Sequence, residues 1–244
     1  MNRLTEAIKH LIIINVIVFI APQLLQLDFT NILALHYPEN ENFGIWQYVT
    51  HMFMHGGFGH ILFNMYGLWA FGTPLEQIWG KNKFLFFYFS AGIGAGVIYT
   101  LANYYQFNGI YQLFVDAGLS NQEILRILDA GSTNDSRVIN AITQQQFNEI
   151  TALYRTPAVG ASGAVYGVLV AFGMYFKDAK LALLFFPVPI AAKYFIPAII
   201  GFDLFFGMTK YSVGNIAHFA HVGGAIIGFL IAYYWKRNQF KFKT

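Results

Sequence analysis

The stretch TPAVGASGAVYG, residues 156–167, places Ser162 between Gly160 and Gly163 at the expected start of a helix. A helix N-terminus offers unpaired N–H groups and the positive end of the helix dipole, and both stabilise an oxyanion. His221 can act as the base that takes the serine proton and later protonates a leaving amine. Because no acidic residue lies close to this pair in the sequence, we predict a Ser–His dyad.

Three more polar residues can complete a site around this serine. His60 and Asn64 are four residues apart, so they share one face of a helix. Tyr166 lies one helical turn after Ser162, where its ring can stack on an imidazole and hold its orientation. We therefore predict that the N–H groups of His60 and Asn64 line an oxyanion hole and that Tyr166 supports the base.

The small residues around the serine also allow a purely structural interpretation. Gly163 and Gly167 have the GxxxG spacing that marks close packing of membrane helices, and Gly224 and Gly228 repeat it. The stretch departs from the GxSxG nucleophile elbow, because Ala164 occupies the position of the second glycine and no strand precedes the motif. Helix packing therefore stays open beside catalysis.

Metal binding is a second alternative, because imidazoles bind zinc. His51 and His55, and likewise His218 and His221, have spacings that suit one face of a helix. No carboxylate or cysteine accompanies either pair in the sequence, and a metal site would leave Ser162 without a role. We therefore predict no metal and no cofactor, and a histidine-lined metal transporter remains as a rival function.

The composition indicates an integral membrane protein. Of the 244 residues, 56% are hydrophobic and only 11% are charged, whereas soluble domains contain about 25% charged residues. The net charge of +3 is small, and no dense basic run suits nucleic acid. Without cysteine, the chain forms no disulfide and has no thiol nucleophile. We therefore expect contact with the lipid bilayer and no nucleic-acid partner.

Six apolar segments predict an all-α, six-transmembrane-helix bundle. They cover about residues 8–27, 56–76, 84–103, 160–176, 192–209 and 216–235. The first is interpreted as a retained helix, because no small-residue cleavage motif follows it directly. Lysines and arginines cluster at both ends of the chain and in the loops 77–83 and 177–191, which places both termini in the cytoplasm. The serine, the candidate base and the oxyanion pair then share one layer near the outer leaflet.

Two acidic residues lie inside apolar segments. Glu76, near the inner end of the second segment, is expected to be a structural hydrogen-bonding acid. Asp203 lies inside the fifth segment, where it can gate, relay protons or bond to a neighbouring helix. Neither acid is assigned to the catalytic pair.

The connection at about 104–155, between the third and fourth segments, is a long polar insertion on the outer face. Ser120 and Glu123 form a capping-box pattern that begins a helix, and Gly131 can end it. Apolar residues recur on one side of a second predicted helix, about 135–154. Two interpretations stay open: a solvated appendage, or an amphipathic hairpin on the outer membrane surface.

Three motifs, HMFMHGGFGHILFN, GASGAVYG and AHFAHVGGAIIG, resemble the rhomboid intramembrane serine proteases. They occur in order on the second, fourth and sixth predicted spans, and the resemblance covers most of the chain apart from the long insertion. It implies that Ser162 is the nucleophile and that His221, rather than His218, is the base. One position departs from the family: Trp46 matches a Trp-Arg pair, but Gln47 follows it, so an arginine anchor for this outer loop is not expected.

The resemblance also implies supporting roles. His60 and Asn64 match the oxyanion-stabilising pair, and His55 matches the first histidine of the same motif. Tyr166 matches the aromatic residue that packs on the catalytic histidine. Because rhomboid relatives that are inactive lack the serine or the histidine, the resemblance implies an active enzyme.

We therefore predict a single rhomboid-like membrane domain, residues 1–244, that acts as a serine endopeptidase. Its expected partners are transmembrane protein substrates, which it would cut near the outer leaflet, and its expected location is the bacterial cytoplasmic (inner) membrane. The alternative from another functional class is a non-catalytic rhomboid-like protein that binds membrane proteins.

Overall fold

The structure is a computed structural model that describes residues 4–183, 186–208 and 218–238. The helices are α1 (Glu6–Leu25), α2 (Thr30–Leu33), α3 (Gln47–Thr50), α4 (Phe58–Gly67), α5 (Thr73–Trp79), α6 (Lys81–Asp116), α7 (Asn121–Ala130), α8 (Ser136–Ala141), α9 (Gln144–Arg155), α10 (Ser162–Tyr175), α11 (Ala192–Met208) and α12 (His218–Asn238). Two strands, β1 (Lys180–Leu183) and β2 (Phe186–Ala191), lie between α10 and α11. A 3-10 turn (His51–Phe53) follows α3, and a π-helical turn (Leu68–Gly72) joins α4 to α5.

The structure is nearly all-α, with one exception at the connection between α10 and α11. The strands β1 and β2 form an antiparallel hairpin in which Lys180 lies opposite Ala191. Pro187 and Pro189 explain why this segment is not helical, since proline has no N–H to donate and its ring clashes with the preceding turn of a helix. Elsewhere, the described residues are almost entirely helical or in loops.

Six helical runs coincide with the predicted spans: α1, α4 to α5, α6, α10, α11 and α12. By length and apolar composition, two of the described helices can cross a bilayer, Glu6–Leu25 and Lys81–Asp116. Ser162–Tyr175 is apolar but has only 14 residues. The predicted outer loop 210–215 lies outside the described residues. The arrangement of all six runs as membrane spans therefore stays a prediction.

Helix α10 lies at the centre of the main core. It packs between α6 and α12, and it also contacts α11 and the α4–α5 run. Most of its residues are buried, with Val168 and Ala171 fully so, and α6 adds the fully buried rings of Phe84, Phe87 and Tyr88. A helix that is apolar on every side needs neighbours on every side, so the sequence of α10 accounts for its central position.

Glu76 connects α5 to the start of α1. Its buried carboxylate accepts hydrogen bonds from the N–H groups of Ala7 (2.8 Å) and Ile8 (3.0 Å) and from the hydroxyl of Thr5. The first N–H groups of a helix have no acceptor within the helix, and a negative charge there meets the positive end of the helix dipole. The acid that was predicted to be structural therefore caps a helix.

The insertion folds as a helical unit on an extension of α6. Helix α6 runs to Asp116, well past the end predicted at residue 103, and α7, α8 and α9 pack their apolar sides on this extension. The buried residues of this second core are Tyr37, Phe107, Ile110, Phe114, Leu119, Ile124, Leu128, Val138, Ile142, Phe147, Ile150 and Tyr154. The amphipathic hairpin would have left these apolar sides free for the membrane surface, whereas here they pack on α6 and on one another. The position of the insertion relative to the bilayer stays a prediction.

The ends of the insertion helices follow local sequence signals. The predicted capping box at Ser120 and Glu123 is confirmed, and Gly131 ends α7 with a φ of 70°. The second predicted helix is wrong in extent, because Thr143 interrupts it and caps α9 as a separate helix. Arg137 donates to Glu123 (2.8 Å), and this hydrogen bond lowers the pKa of the Glu123 carboxyl to about 2.

The loop at about 28–55, predicted to be the first outer loop, is tied to the insertion. The ring of Tyr37 stacks on that of Phe107 with 4.5 Å between centroids, and the amide of Asn40 donates to the carbonyl of Tyr154 (3.1 Å). These contacts join residues more than 60 positions apart in the chain. The insertion and the first loop therefore form one continuous layer over the same end of the helices.

Gln47 anchors this first loop although the arginine of the related motif is missing. The residue is buried, and its Oε1 accepts from the N–H of His36 (3.1 Å). Its Nε2 donates to the carbonyls of Asn42 (2.7 Å) and Asn31 (3.2 Å). A neutral amide thus supplies the polar anchoring that the sequence comparison with the family did not lead us to expect.

Glu76→Gln is expected to lower the thermal stability of the detergent-purified protein. The amide has one acceptor oxygen where the carboxylate has two, so an N–H group at the start of α1 loses its partner, at a cost of about 1–3 kcal/mol. Thermal unfolding measures the change, with the exposed Glu149→Gln as the matched control. Equal unfolding temperatures for the two variants would contradict the capping role.

Candidate active site

Ser162 is the first residue of α10, and the chain before it is held in place by backbone hydrogen bonds. Leu35 and Ala158 form an antiparallel bridge with N···O distances of 2.9 and 2.8 Å. The N–H of Gly160 donates to the carbonyl of His51 (2.9 Å). The preceding residues are therefore fixed, and the N–H groups of the first turn of α10, which have no acceptor within the helix, lie next to the serine.

Ser162 and His221 lie within hydrogen-bonding distance. The Nε2 atom of His221 is 2.9 Å from the Oγ atom of Ser162, although 59 positions separate the two residues. The ring of Tyr166 stacks on the imidazole of His221, with 4.3 Å between centroids and 11° between planes. The structure therefore brings together the predicted nucleophile, base and supporting ring.

Glycines set the separation between α10 and α12 and hence between these two side chains. A methyl group on Gly224 would overlap the carbonyl oxygen of Gly163, and a Cβ on Gly228 would lie 2.5 Å from the Cα of Gly167. The predicted close packing at the two GxxxG pairs is confirmed. It accompanies the serine–histidine contact, so the structural and the catalytic interpretation of these motifs are compatible.

The expectation that no acid accompanies the pair is wrong. Asp203 on α11 lies with its Oδ1 3.1 Å from the Nδ1 of His221 and 2.7 Å from the Nδ1 of His218. Its Oδ2 accepts a hydrogen bond from the hydroxyl of Tyr166. Sequence reasoning missed this contact because α11 is a separate helix, and the available signal was a buried acid in an otherwise apolar segment.

His60 lies next to the serine with a defined proton position. Its Nδ1 accepts a hydrogen bond from the N–H of Gly56 (3.3 Å), so the proton of the neutral ring is on Nε2. That Nε2 lies 2.8 Å from where a Cβ would stand on Gly160, whose φ of 126° favours glycine. A hydrogen-bond donor therefore faces the segment that leads directly into Ser162.

Asn64 and His55 flank His60. The buried amide of Asn64 donates to the carbonyl of His60 on its own helix (2.9 Å), which leaves its second amide hydrogen for another acceptor. The ring of His55 meets that of His60 edge to face, with 5.0 Å between centroids. Both residues thus support the position of His60, and a direct role of Asn64 stays a prediction.

Three of the four histidines proposed as metal ligands, His51, His218 and His221, form hydrogen bonds, whereas neither ring nitrogen of His55 has a partner among the described residues. Among the described residues, Asp203, His218 and His221 form a group whose ligand atoms lie within 4.8 Å of one another. Both Nδ1 atoms, however, face the same carboxylate oxygen at hydrogen-bonding distance. His51 uses its Nδ1 to bond the carbonyl of Gln47 (2.7 Å). Hydrogen bonding accounts for these contacts, and independence from metal stays a prediction for experiment.

A serine at a helix N-terminus, an imidazole in contact with it and a third group that orients the imidazole define a site of the serine-hydrolase type. Here the site lies within a bundle of apolar helices. The family model of the Rhomboid domain matches residues 42–121 and 133–238. The chain therefore belongs to the rhomboid family, whose members are integral membrane proteins. The gap in the match falls within the insertion.

Individual relatives are similar over most of this chain. Rhomboid protein 1, mitochondrial, of Saccharomyces cerevisiae is 28% identical over 182 residues, which are 75% of this chain and 39% of that protein. Rhomboid protease AarA of Providencia stuartii is 28% identical over 193 residues, 77% of this chain and 54% of that protein. Rhomboid protease GluP of Bacillus subtilis is 25% identical over 187 residues, which are 77% of this chain and 25% of that protein. The chain thus matches between a quarter and about half of the length of these relatives.

Gly224→Ala is expected to destabilise the protein and to separate α10 from α12, because the added methyl group overlaps the backbone of Gly163. Overpacking of this kind typically costs about 1–3 kcal/mol. Thermal unfolding in detergent and the rate of labelling by a fluorophosphonate probe measure the two effects. Gly109→Ala is the control, since that helical glycine has open space around it. Wild-type behaviour of Gly224→Ala would contradict the close approach.

Proposed function

We propose that this protein is an intramembrane serine endopeptidase that cleaves transmembrane segments of membrane proteins near the outer leaflet. The observation that carries the proposal is the 2.9 Å approach of His221 Nε2 to Ser162 Oγ at the N-terminus of α10. The printed names of two relatives, Rhomboid protease AarA and Rhomboid protease GluP, support a proteolytic function.

The proposed reaction proceeds through an acyl-enzyme. The Oγ of Ser162 attacks the peptide carbonyl carbon while its proton moves to the Nε2 of His221. The N–H of Ser162, the Nε2–H of His60 and the free amide hydrogen of Asn64 stabilise the oxyanion. His221 then gives the proton to the leaving amine, and a water molecule, activated by the same imidazole, releases the acyl group.

The distribution of basic side chains supports the orientation of the site. Ser162 and His221 lie at the first turns of α10 and α12, whereas Lys81, Lys193 and Lys236 lie at the opposite end of the bundle. Lys236, for example, donates to the carbonyl of Met174 near the end of α10 (2.6 Å). The positive-inside rule then favours a cytoplasmic location for the lysine-rich end and both termini, and an outward location for the site.

The length of α10 supports a recessed site. Its 14 residues correspond to about 21 Å of helix, which is shorter than the roughly 30 Å of the hydrocarbon core. If the inner end of α10 lies at the inner boundary of the hydrocarbon core, the serine at its outer end lies below the level of the outer headgroups. A substrate helix must partly unwind there, because its own hydrogen bonds shield the peptide carbonyls, so we expect glycine, proline or small residues near the cut.

The proposal leaves one alternative function, and it includes an assignment of cellular location. The alternative function is a non-catalytic rhomboid-like protein that binds membrane proteins. Relatives occur in both mitochondria and bacteria, and of these we propose the bacterial cytoplasmic membrane.

Ser162→Ala and His221→Ala are each expected to abolish cleavage of single-span substrates in proteoliposomes. Loss of either group prevents formation of the acyl-enzyme. Fluorophosphonate labelling of the purified protein should fall in parallel. The matched control is Ser90→Ala on α6, which changes a serine outside the site.

The same measurements separate the alternatives. Cleavage by Ser162→Ala at the wild-type rate would contradict the proposed nucleophile. A wild-type protein that binds the substrates, cleaves none of them and does not react with the probe would instead be the non-catalytic binder. Activity that a chelator removes and stoichiometric zinc restores would favour a metal-dependent site.

His60→Ala and Asn64→Ala are expected to lower kcat by about 10²–10³-fold without abolishing cleavage, because each removes one oxyanion donor while the N–H of Ser162 remains. Asn15→Ala is the control for Asn64, because Asn15 is also buried and its amide likewise donates to a carbonyl four residues earlier (2.7 Å). Rates within twofold of wild type for both site variants would contradict the oxyanion role.

A further inference from the structure

Asp203 connects three helices at the catalytic pair. It belongs to α11 and is only 8% exposed, while its partners belong to α10 and α12. Its Oδ1 faces the Nδ1 atoms of His218 (2.7 Å) and His221 (3.1 Å), and its Oδ2 accepts from the hydroxyl of Tyr166. One carboxylate oxygen therefore faces the proposed base itself, and the other accepts a hydrogen bond from the ring that packs on that base.

The tautomer of a neutral His221 is set by this carboxylate. An ionised carboxylate only accepts hydrogen bonds, so the Nδ1 of a neutral His221 must carry the proton when it faces Oδ1. The Nε2 atom then has its lone pair free and lies 2.9 Å from the Oγ of Ser162. In the opposite tautomer, Nε2 would carry a proton and could not accept one from the serine.

We propose that Asp203 is a positioning residue that keeps His221 in the tautomer able to accept the proton of Ser162. The inference rests on the proposed proteolytic function and extends the Ser–His dyad to a Ser–His–Asp arrangement. The serine proton moves to Nε2, the Nδ1 proton stays on the imidazole, and Asp203 stays ionised beside the imidazolium. The imidazolium then passes the same proton to the leaving amine.

The geometry fixes the imidazole in two directions. Asp203 holds the edge of the His221 ring through Nδ1, and the Tyr166 ring covers its face at 4.3 Å. Because the Tyr166 hydroxyl donates to the same carboxylate, one acid orients both the base and the ring that packs on it. Among the described residues, its ion-pairing groups are the two imidazoles, so no lysine or arginine there competes for its charge.

The decisive variant is Asp203→Asn, which keeps the shape of the side chain. Its amide can turn an NH2 group toward Nδ1 and so favour the wrong tautomer. We expect kcat for single-span substrates to fall by about 10²–10⁴-fold with KM within threefold of wild type, as the loss of an orienting acid predicts. Fluorophosphonate labelling should slow by a similar factor in protein that unfolds at a normal temperature.

Two controls separate positioning from a general structural effect. Glu76→Gln changes another buried, hydrogen-bonded acid that lies away from the site, and its activity per folded molecule should match wild type. His218→Ala removes the other imidazole on Oδ1, and it should retain at least a tenth of wild-type kcat. Equal losses of kcat in His218→Ala and Asp203→Asn would indicate that the hydrogen bonds of Asp203 have a general structural role, and this would overturn the proposal.

A measurement on the unmutated chain decides the question even if Asp203→Asn does not fold. In ¹⁵N-histidine-labelled protein, assigned with His221→Gln, the Nδ1 of His221 should carry the proton and the Nε2 should not. A protonated Nε2 in neutral His221 would overturn the proposal, as would Asp203→Asn activity within threefold of wild type. Failure of the proteolytic function is distinct, since wild type and Ser162→Ala would then be equally inactive and unlabelled.

Discussion

The close contact between α10 and α12 is the constraint on which the site depends. Four glycines allow the two backbones to approach until any side chain at Gly224 would overlap the carbonyl of Gly163. Helix association within a bilayer gains little from the hydrophobic effect, so it relies on such close packing and on interhelical hydrogen bonds. The same contact brings an imidazole from one helix to a serine on the other. One set of backbone contacts therefore stabilises the fold and brings the serine and the histidine together.

A polar site in an apolar bundle requires partners for every buried polar group. Asp203 on α11 accepts from His218 and His221 on α12 and from Tyr166 on α10. His60 accepts from the N–H of Gly56, just before its own helix. Each bond that satisfies a buried group also fixes a ring orientation. The same hydrogen bonds therefore satisfy the buried polar groups and hold the rings in their orientations.

The loops at the site end form a fixed layer above it. Gln47 holds the first loop through neutral hydrogen bonds, Tyr37 joins that loop to the insertion, and the Leu35–Ala158 bridge joins it to the segment before Ser162. The insertion has its own core on the extension of α6. The segment that leads into Ser162 is therefore tied both to the first loop and, through it, to the insertion.

Local patterns in the sequence determined the helical segments, the capping box of α7 and the small-residue motifs, because each depends on neighbours within a few residues. The resemblance to the family added the choice of His221 rather than His218 as the base. The contact with Asp203, the role of Gln47 and the covering of the apolar sides of the insertion were decided only by tertiary structure. Each joins separate elements or loops of the chain, and no helical or strand spacing rule relates such segments. The β1–β2 hairpin was missed because a short apolar run with prolines has no period that distinguishes a strand from a loop.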